Sequence, residues 1–231
     1  MDTFDLTPAA WDPRARAAVA GYLQTIAAGL PLTRRARAEV MAEIADGLAC
    51  AVEAHIAAGA TTAAAARLSV AEFGDPRELS AALAAEIAWT HARRLGRALV
   101  ATGPLVGLAW VGAFAQASGM TWWSQIGVLM ASAPAYPLVL AVSVPAALVA
   151  AGVVRLAGRP AFGATTAVNA AVVASAACVV GDIALVIGLA TQPGDLAWTA
   201  ALACAVPISL VRMGVTAAAG RRALLLRAAV R

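Results

Sequence analysis

Residues 98–154, which begin ALVATGPLVGLAWVGAFAQAS and end PLVLAVSVPAALVAAGVV, contain no Asp, Glu, Lys, Arg or His. A transmembrane helix needs about 20 consecutive apolar residues to cross roughly 30 Å of hydrocarbon. This run is long enough to cross twice, and two further apolar stretches follow it. The sequence therefore predicts a membrane protein with four spans, at about residues 98–118, 134–154, 163–190 and 196–219.

The composition of the whole chain agrees with this interpretation. Of its 231 residues, 61% are hydrophobic and 13% are charged, whereas soluble domains average roughly 25% charged residues. All but two of the 13 acidic residues precede residue 98. The excess of arginines over acidic residues that gives the net charge of +4 therefore lies in the apolar half. The basic balance therefore does not indicate direct nucleic-acid binding, and the chain divides into a solvated part and a part in lipid.

The solvated part has the pattern of four short amphipathic helices. Asp12-Pro13 and Asp75-Pro76 each combine a capping acceptor with a proline at the first helical position, which predicts a helix start. Thr33 is the predicted cap of the second helix, and Gly74 is predicted to end the third in a left-handed conformation. The apolar stripes are Val19, Tyr22, Leu23, Ile26 and Leu30 in the first helix, Val40, Ile44, Leu48, Val52 and Ile56 in the second, Ala66, Val70 and Phe73 in the third, and Leu79, Leu83 and Ile87 in the fourth.

These patterns together predict an all-α protein with a small cytoplasmic helical domain of four short helices and a four-helix transmembrane bundle. The predicted divisions are an N-terminal tail (1–12), the helical domain (13–97), the transmembrane domain (98–220) and a basic cytoplasmic tail (221–231).

The arginines predict the orientation in the membrane. Those near the spans are Arg93, Arg94 and Arg97 before the first span, Arg155 and Arg159 between the second and third, and Arg221, Arg222, Arg227 and Arg231 after the fourth. The other two connections carry no Lys or Arg, so the positive-inside rule places both termini in the cytoplasm. The chain has no Lys and is rich in Ala, as in proteins of GC-rich bacteria, and we expect it in a bacterial cytoplasmic membrane.

Two charged residues lie inside the apolar spans, Asp182 in the third and Arg212 in the fourth. Ionisable groups in lipid are functional candidates because each is costly when unpaired. The predicted span ends put them about 12 Å apart in depth. That offset favours an Arg212 that extends to the cytoplasmic face, with Asn169 as its polar neighbour, over a direct ion pair with Asp182.

Two further features are candidate sites of interaction or motion. The second helix carries a charged row, which is either a solvated face or a protein-docking face. Its members are Arg34, Arg35, Arg37, Glu39, Glu43 and Asp46. Gly103-Pro104 near the start of the first span predicts a kink that could act as a hinge.

No catalytic or cofactor motif is recognisable in the sequence. His55 and Cys50 are five residues apart, which is too far round a helix to share a metal ion, and the three cysteines have no paired spacing. The sequence therefore predicts no enzyme activity, no cofactor and no metal site.

The solvated part resembles a known family. The matching residues are Tyr22-Leu23, Leu30-Pro31, Arg35-x-Arg37-x-Glu39, Glu43-Ile44-x-x-x-Leu48 and Gly74-Asp75-Pro76-x-Glu78-Leu79. This pattern, over about residues 18–88, resembles the HAAS domain, a helical signalling domain also described as a permease prefix domain. Gly47 stands where the family commonly has His, so no role of that histidine carries over.

The resemblance implies a cytoplasmic domain that binds a protein and is joined to several membrane spans. Such domains are often encoded beside a PadR-type winged-helix repressor, and others precede an ABC-type permease. We therefore expect a membrane signalling or regulatory protein whose partners are a cytosolic PadR-type regulator and the lipid bilayer. The alternative is an accessory or membrane subunit of an ABC-type transporter, and a homo-oligomer is compatible with either.

Overall fold

The computed structural model describes residues 11–118, 136–153, 155–156, 159–160, 163–190 and 200–229. The helices in these ranges are α1 (Pro13–Gly29), α2 (Arg34–Ala57), α3 (Thr62–Phe73), α4 (Pro76–Ser118), α5 (Tyr136–Ala151), α6 (Ala164–Ala190) and α7 (Ala200–Ala229). One antiparallel pair of two-residue strands, β1 (Arg155–Leu156) and β2 (Arg159–Pro160), follows α5, with Arg155 opposite Pro160. The predicted all-α class is confirmed. Several predicted parts lie outside the described residues: 1–10 of the tail predicted at 1–12, 134–135 and 154 of the second span, 196–199 of the fourth span and 230–231 of the basic tail.

The chain forms two compact units, one up to Ile87 and the other from Ala88 to Ala229, here called unit 1 and unit 2. The division falls inside α4, which is one continuous helix. Hydropathy and charge alone place the domain boundary at 97/98, yet residues 88–97 pack with unit 2. His91 shows this directly, because its Nε2 lies 3.2 Å from the carbonyl oxygen of Ala219 in α7.

The helix starts of unit 1 are those predicted from capping residues. The Oδ1 atoms of Asp12 and Asp75 accept hydrogen bonds of 2.7 Å from the backbone N–H groups of Arg14 and Arg77. Such caps satisfy donors that have no partner inside the helix. Gly74 has φ +82° and ψ −164°, a region that is essentially restricted to glycine.

The core of unit 1 contains the whole predicted stripe of α1 but only part of that of α2. The buried residues of α2 are Met41, Ala45, Leu48 and Val52, whereas Ile56 is 37% exposed. The predicted α2 stripe was drawn at successive i+4 steps, and each such step advances about 40° round a helix of 3.6 residues per turn. Over four steps the row turns by about 160°, so it cannot stay on one face.

The second half of α4 and two helices of unit 2 are long and apolar enough to cross a membrane. By length and composition there are three in the described residues, over Pro76–Gly112, Ala164–Ile187 and Ala203–Arg227. The apolar segment Pro137–Ala151 in α5 is shorter. The structure thus supports a membrane-embedded protein with three long apolar helices.

The surface of unit 2 has the apolar character that contact with lipid requires. Of the large hydrophobic side chains that are exposed in the described residues, only Ile56 and Leu68 belong to unit 1. Those of unit 2 include Leu105, Leu138 and Val211, which are 66%, 71% and 67% exposed. Soluble proteins rarely display so much contiguous apolar surface.

Glycine allows close helix contacts in unit 2. A Cβ on Gly96 of α4 would lie 2.8 Å from the carbonyl oxygen of Ala147 in α5, and closer still to the backbone nitrogen of Ala151. A Cβ on Gly220 of α7 would lie 3.1 Å from Cβ of Ser175 in α6.

The C-terminal helix is longer than predicted. α7 continues to Ala229 through most of the segment 221–231, which was predicted to be a basic tail. Ala, Leu and Arg are strong helix formers, and this segment contains no proline, so the helix has no reason to end at the last apolar turn.

Candidate functional site

A bidentate ion pair joins two apolar helices of unit 2. Arg212 on α7 donates from Nη2 to Oδ1 of Asp182 on α6 at 2.7 Å, and from Nε to Oδ2 at 3.1 Å. The two side chains are 15% and 3% exposed. This parallel geometry is the strongest arrangement that a guanidinium and a carboxylate adopt.

The expectation that Arg212 extends to the cytoplasmic face beside Asn169 is therefore wrong. The predicted offset of about 12 Å was based on span ends inferred from the sequence, whereas the described parts of α6 and α7 bring the two side chains into direct contact. A long arginine side chain can extend along its helix to reach such a partner. Asn169 Oδ1 is buried and has no hydrogen-bond partner in the described part of the chain.

A second buried polar contact lies one turn from the ion pair, and sequence reasoning missed it. Trp110 on α4 donates from Nε1 to Oγ of Ser209 at 2.7 Å, and the two residues are 0% and 1% exposed. Ser209 and Arg212 are three residues apart and share one face of α7. That face thus contacts α4 through Ser209 and α6 through Arg212. A tryptophan in the middle of an apolar span is the one sequence signal for it, because a buried indole N–H seeks a partner.

A cavity of about 400 Å³ lies among the helices of unit 2 and contains Arg212 in its wall. Most of the lining is apolar, and its polar side chains are Ser143, Cys178 and Arg212. Gly103 and Pro104, the predicted hinge, lie in the same wall within the continuous helix α4. The structure therefore brings the predicted hinge and the intramembrane arginine to one cavity.

The charged row of α2 is largely at the surface of unit 1. Its exposed members are Arg34, Arg35, Glu39, Glu43 and Asp46. Nε of Arg35 and Oε1 of Glu39 are 3.2 Å apart, with side chains 92% and 67% exposed, so this pair adds only a few tenths of a kcal/mol to stability.

Arg37 differs from the rest of the row. Its Nη2 donates to the carbonyl oxygens of Leu30 and Leu32, both at 3.1 Å. Arg37 thereby holds the turn between α1 and α2, and we assign it a structural role.

The two histidines contact other groups. His55 Nε2 lies 3.1 Å from Oε2 of Glu72 in unit 1, and His91 contacts Ala219 as described above. The described residues contain no group of three or more His, Cys, Asp or Glu side chains placed to hold a metal ion. No family model, curated protein or solved structure matches this chain.

Proposed function

We propose that this chain is a multi-pass membrane signalling or regulatory protein whose N-terminal helical unit binds a cytosolic protein. The observation that carries the proposal is the continuity of α4 from Pro76 to Ser118. Leu79 and Leu83 pack against the core of unit 1, while Trp110 of the same helix bonds to Ser209 in unit 2. Because α4 contributes residues to both units, it is the element through which we propose that the state of the apolar helices reaches the docking unit.

The charged row of α2 is the proposed docking surface. Its five exposed members include three acids and two arginines within 13 residues, which favours a protein partner of mixed charge over nucleic acid. The HAAS-like pattern supports a PadR-type winged-helix regulator as that partner. Binding would sequester or release the regulator according to the state of the apolar helices.

The proposed topology has four spans with both termini in the cytoplasm. α5 completes the four as the second span along the chain: its 16 residues extend about 24 Å, and the uncharged residues beside it in the sequence lengthen the apolar stretch. A short span is accommodated by local thinning of the bilayer or by oligomerisation. Arginines before the first span and at the end of α7 would then lie on the cytoplasmic side.

The proposed coupling element is Gly103-Pro104. A proline inside a helix leaves one carbonyl without its usual donor and permits bending. Because these residues line the cavity, a change in its contents would bend α4 and move the helix that unit 1 shares. In Pro104→Ala, the affinity of the partner should therefore depend less on the lipid composition of the nanodisc than it does in the unaltered chain. Pro145→Ala in α5 is the control for the loss of a proline elsewhere.

The test is cross-linked capture of the full-length chain from its native membrane, with partners identified by mass spectrometry. The recovered regulator is then purified, and its affinity is measured for the chain in nanodiscs. Glu43→Arg should reduce this affinity at least tenfold. Glu78→Arg, the same charge change at an exposed acid of α4 outside the row, should leave it within about twofold. Equal effects of both substitutions would argue against the α2 row as the docking surface.

The transporter-subunit alternative is favoured by one observation, the cavity among the apolar helices. It predicts that the capture recovers an ATPase or other membrane subunits instead of a winged-helix protein. It also predicts that Glu43→Arg leaves that association unchanged.

A further inference from the structure

The cavity in unit 2 has the size and the lining of a ligand site. Its volume of about 400 Å³ falls in the range of roughly 300–1,000 Å³ typical of small-molecule pockets. Such pockets combine mostly apolar walls with a few polar groups that orient the ligand. The walls here are formed by residues of α4, α5 and α6 together with Arg212 of α7, the one charged residue of the lining.

Arg212 has hydrogen-bond donors beyond those that bind Asp182. A guanidinium carries five N–H groups, and the two bonds to Asp182 use one on Nε and one on Nη2. None of the described residues accepts from the others. The side chain keeps 15% exposure and lines the cavity, which makes these donors the polar groups that we assign to a molecule inside it.

The ion pair indicates which ligand charge the cavity favours. Asp182 lies 2.7 Å from Arg212 and does not itself line the cavity. The pair is therefore neutral as a whole, and Arg212 is the member of it that reaches the cavity wall. An anionic ligand would face the Asp182 carboxylate across one guanidinium in a medium of low dielectric constant, where like charges repel strongly. A neutral acceptor incurs no such repulsion.

We propose that the cavity binds an uncharged lipophilic small molecule with a hydrogen-bond acceptor oxygen, such as a ketone, which accepts from Arg212. The proposal is independent of the partner of unit 1. It concerns the membrane part of the chain alone, and its failure would leave the docking proposal intact.

The test uses benzophenone, an uncharged aryl ketone that cross-links to neighbouring C–H groups under ultraviolet light. The full-length chain in nanodiscs is illuminated with increasing benzophenone, and the labelled peptides are identified by mass spectrometry. We expect saturable labelling of residues 99–111 and 139–148, which contain most of the lining. Labelling that never saturates and spreads evenly over the exposed apolar faces would overturn the proposal.

Two ligand controls test the chemistry. Diphenylmethane has a similar shape without the oxygen. As a competitor of labelling by benzophenone, it should be at least tenfold less effective than an uncharged aryl ketone of the same size. 4-Benzoylbenzoate carries a carboxylate and should label the cavity at least tenfold less. Equal competition by the hydrocarbon, or stronger labelling by the carboxylate, would refute the assigned ligand class.

Two substitutions in the lining test whether benzophenone binds in this cavity, and a third substitution outside the lining is the matched control. Gly107→Leu adds a side chain at a lining position where a Cβ meets nothing within 4 Å, and Ser143→Leu enlarges a buried lining residue. Each should raise the half-saturating benzophenone concentration at least tenfold. Gly112→Leu, equally open but outside the lining, should leave it unchanged. Unchanged labelling in both lining variants would overturn the proposal.

Nanodiscs of ester phospholipid and of ether phospholipid distinguish the source of the natural ligand. Equal labelling in both supports a free small molecule. Stronger labelling in ether lipid would show that the ester carbonyl of a bilayer lipid competes for the same donor.

Discussion

Trp110 and Ser209 connect α4 to α7 by a buried hydrogen bond, 2.7 Å from the indole Nε1 to the hydroxyl Oγ. The bond lies one turn from the ion pair that connects α7 to α6. In an apolar environment, where hydrophobic burial does not distinguish one helix neighbour from another, such polar contacts help to determine which faces meet.

A double-mutant cycle on this bond should give a measurable coupling. Trp110→Phe and Ser209→Ala are each expected to lower the unfolding free energy, with a coupling of about 0.6 kcal/mol, the average for hydrogen bonds between membrane helices, and no more than about 1.7 kcal/mol, the largest found. The measurement is reversible unfolding in mixed micelles. A cycle between Trp110→Phe and Ser175→Ala, whose hydroxyl bonds to Ala171 in its own helix, should give a coupling near zero. Equal couplings in the two cycles would contradict the assignment.

Loss of one partner of the ion pair should cost far more than loss of both. Arg212→Met leaves the Asp182 carboxylate buried without a counter-charge, and we expect a loss of about 3–5 kcal/mol in unfolding free energy. The double variant Asp182→Leu, Arg212→Met should recover most of that loss. Arg222→Met, at an exposed position on α7, should change stability by less than about 0.5 kcal/mol. An Arg212→Met protein as stable as the Arg222→Met protein would show that the pair does not persist in the membrane.

Gly96→Ala should destabilise unit 2 because its Cβ would collide with the backbone of α5 and not with a movable side chain. Overpacking of this kind costs about 1–3 kcal/mol. Gly112→Ala on the same helix meets nothing within 4 Å, so it should be neutral or stabilising by up to about 1 kcal/mol. Thermal unfolding of both variants in one detergent gives the comparison. If both midpoints rose together, α4 and α5 would not be in close contact.

The stability of unit 1 should decrease at high pH because of Tyr22. Burial raises the pKa of Tyr22 above its ordinary value of 10.0, and the Asp75 carboxylate raises it further. The folded state thus holds the proton more tightly than the unfolded state. The stabilisation that comes from keeping Tyr22 protonated is complete below pH 10. It is lost as the pH rises from there through the pKa of Tyr22 in the folded state.

Tyr22→Phe should remove this pH dependence at little cost below pH 10, since the buried hydroxyl has no hydrogen-bond partner in the described residues. Tyrosinate absorbance is a direct readout, because the chain has only two tyrosines. An ordinary titration of Tyr22 in the folded chain would contradict the prediction.

Local chemistry explains why much of unit 1 was predictable. The caps Asp12 and Asp75 and the terminating Gly74 act within three residues of themselves, so their effect can be read directly from the sequence. The apolar stripe of α1 was right because its spacing mixes three and four residues, as a helix of 3.6 residues per turn requires. The stripe of α2 was only partly right, because a row at i+4 steps turns round the helix: Leu48 and Val52 are buried, whereas Ile56 is 37% exposed.

The sequence by itself determined that this protein is helical, that it has a solvated and an apolar part, and which residues begin the first helices. Charge, hydropathy and capping are properties of single residues and near neighbours. Only the tertiary structure decided that Asp182 binds Arg212, that Trp110 bonds to Ser209, and that a cavity lies beside them. These contacts depend on where each helix begins and how far one is shifted along its neighbour. In spans made mostly of Ala, Val, Leu and Gly, many such arrangements bury similar apolar surface, and specific packing selects one of them.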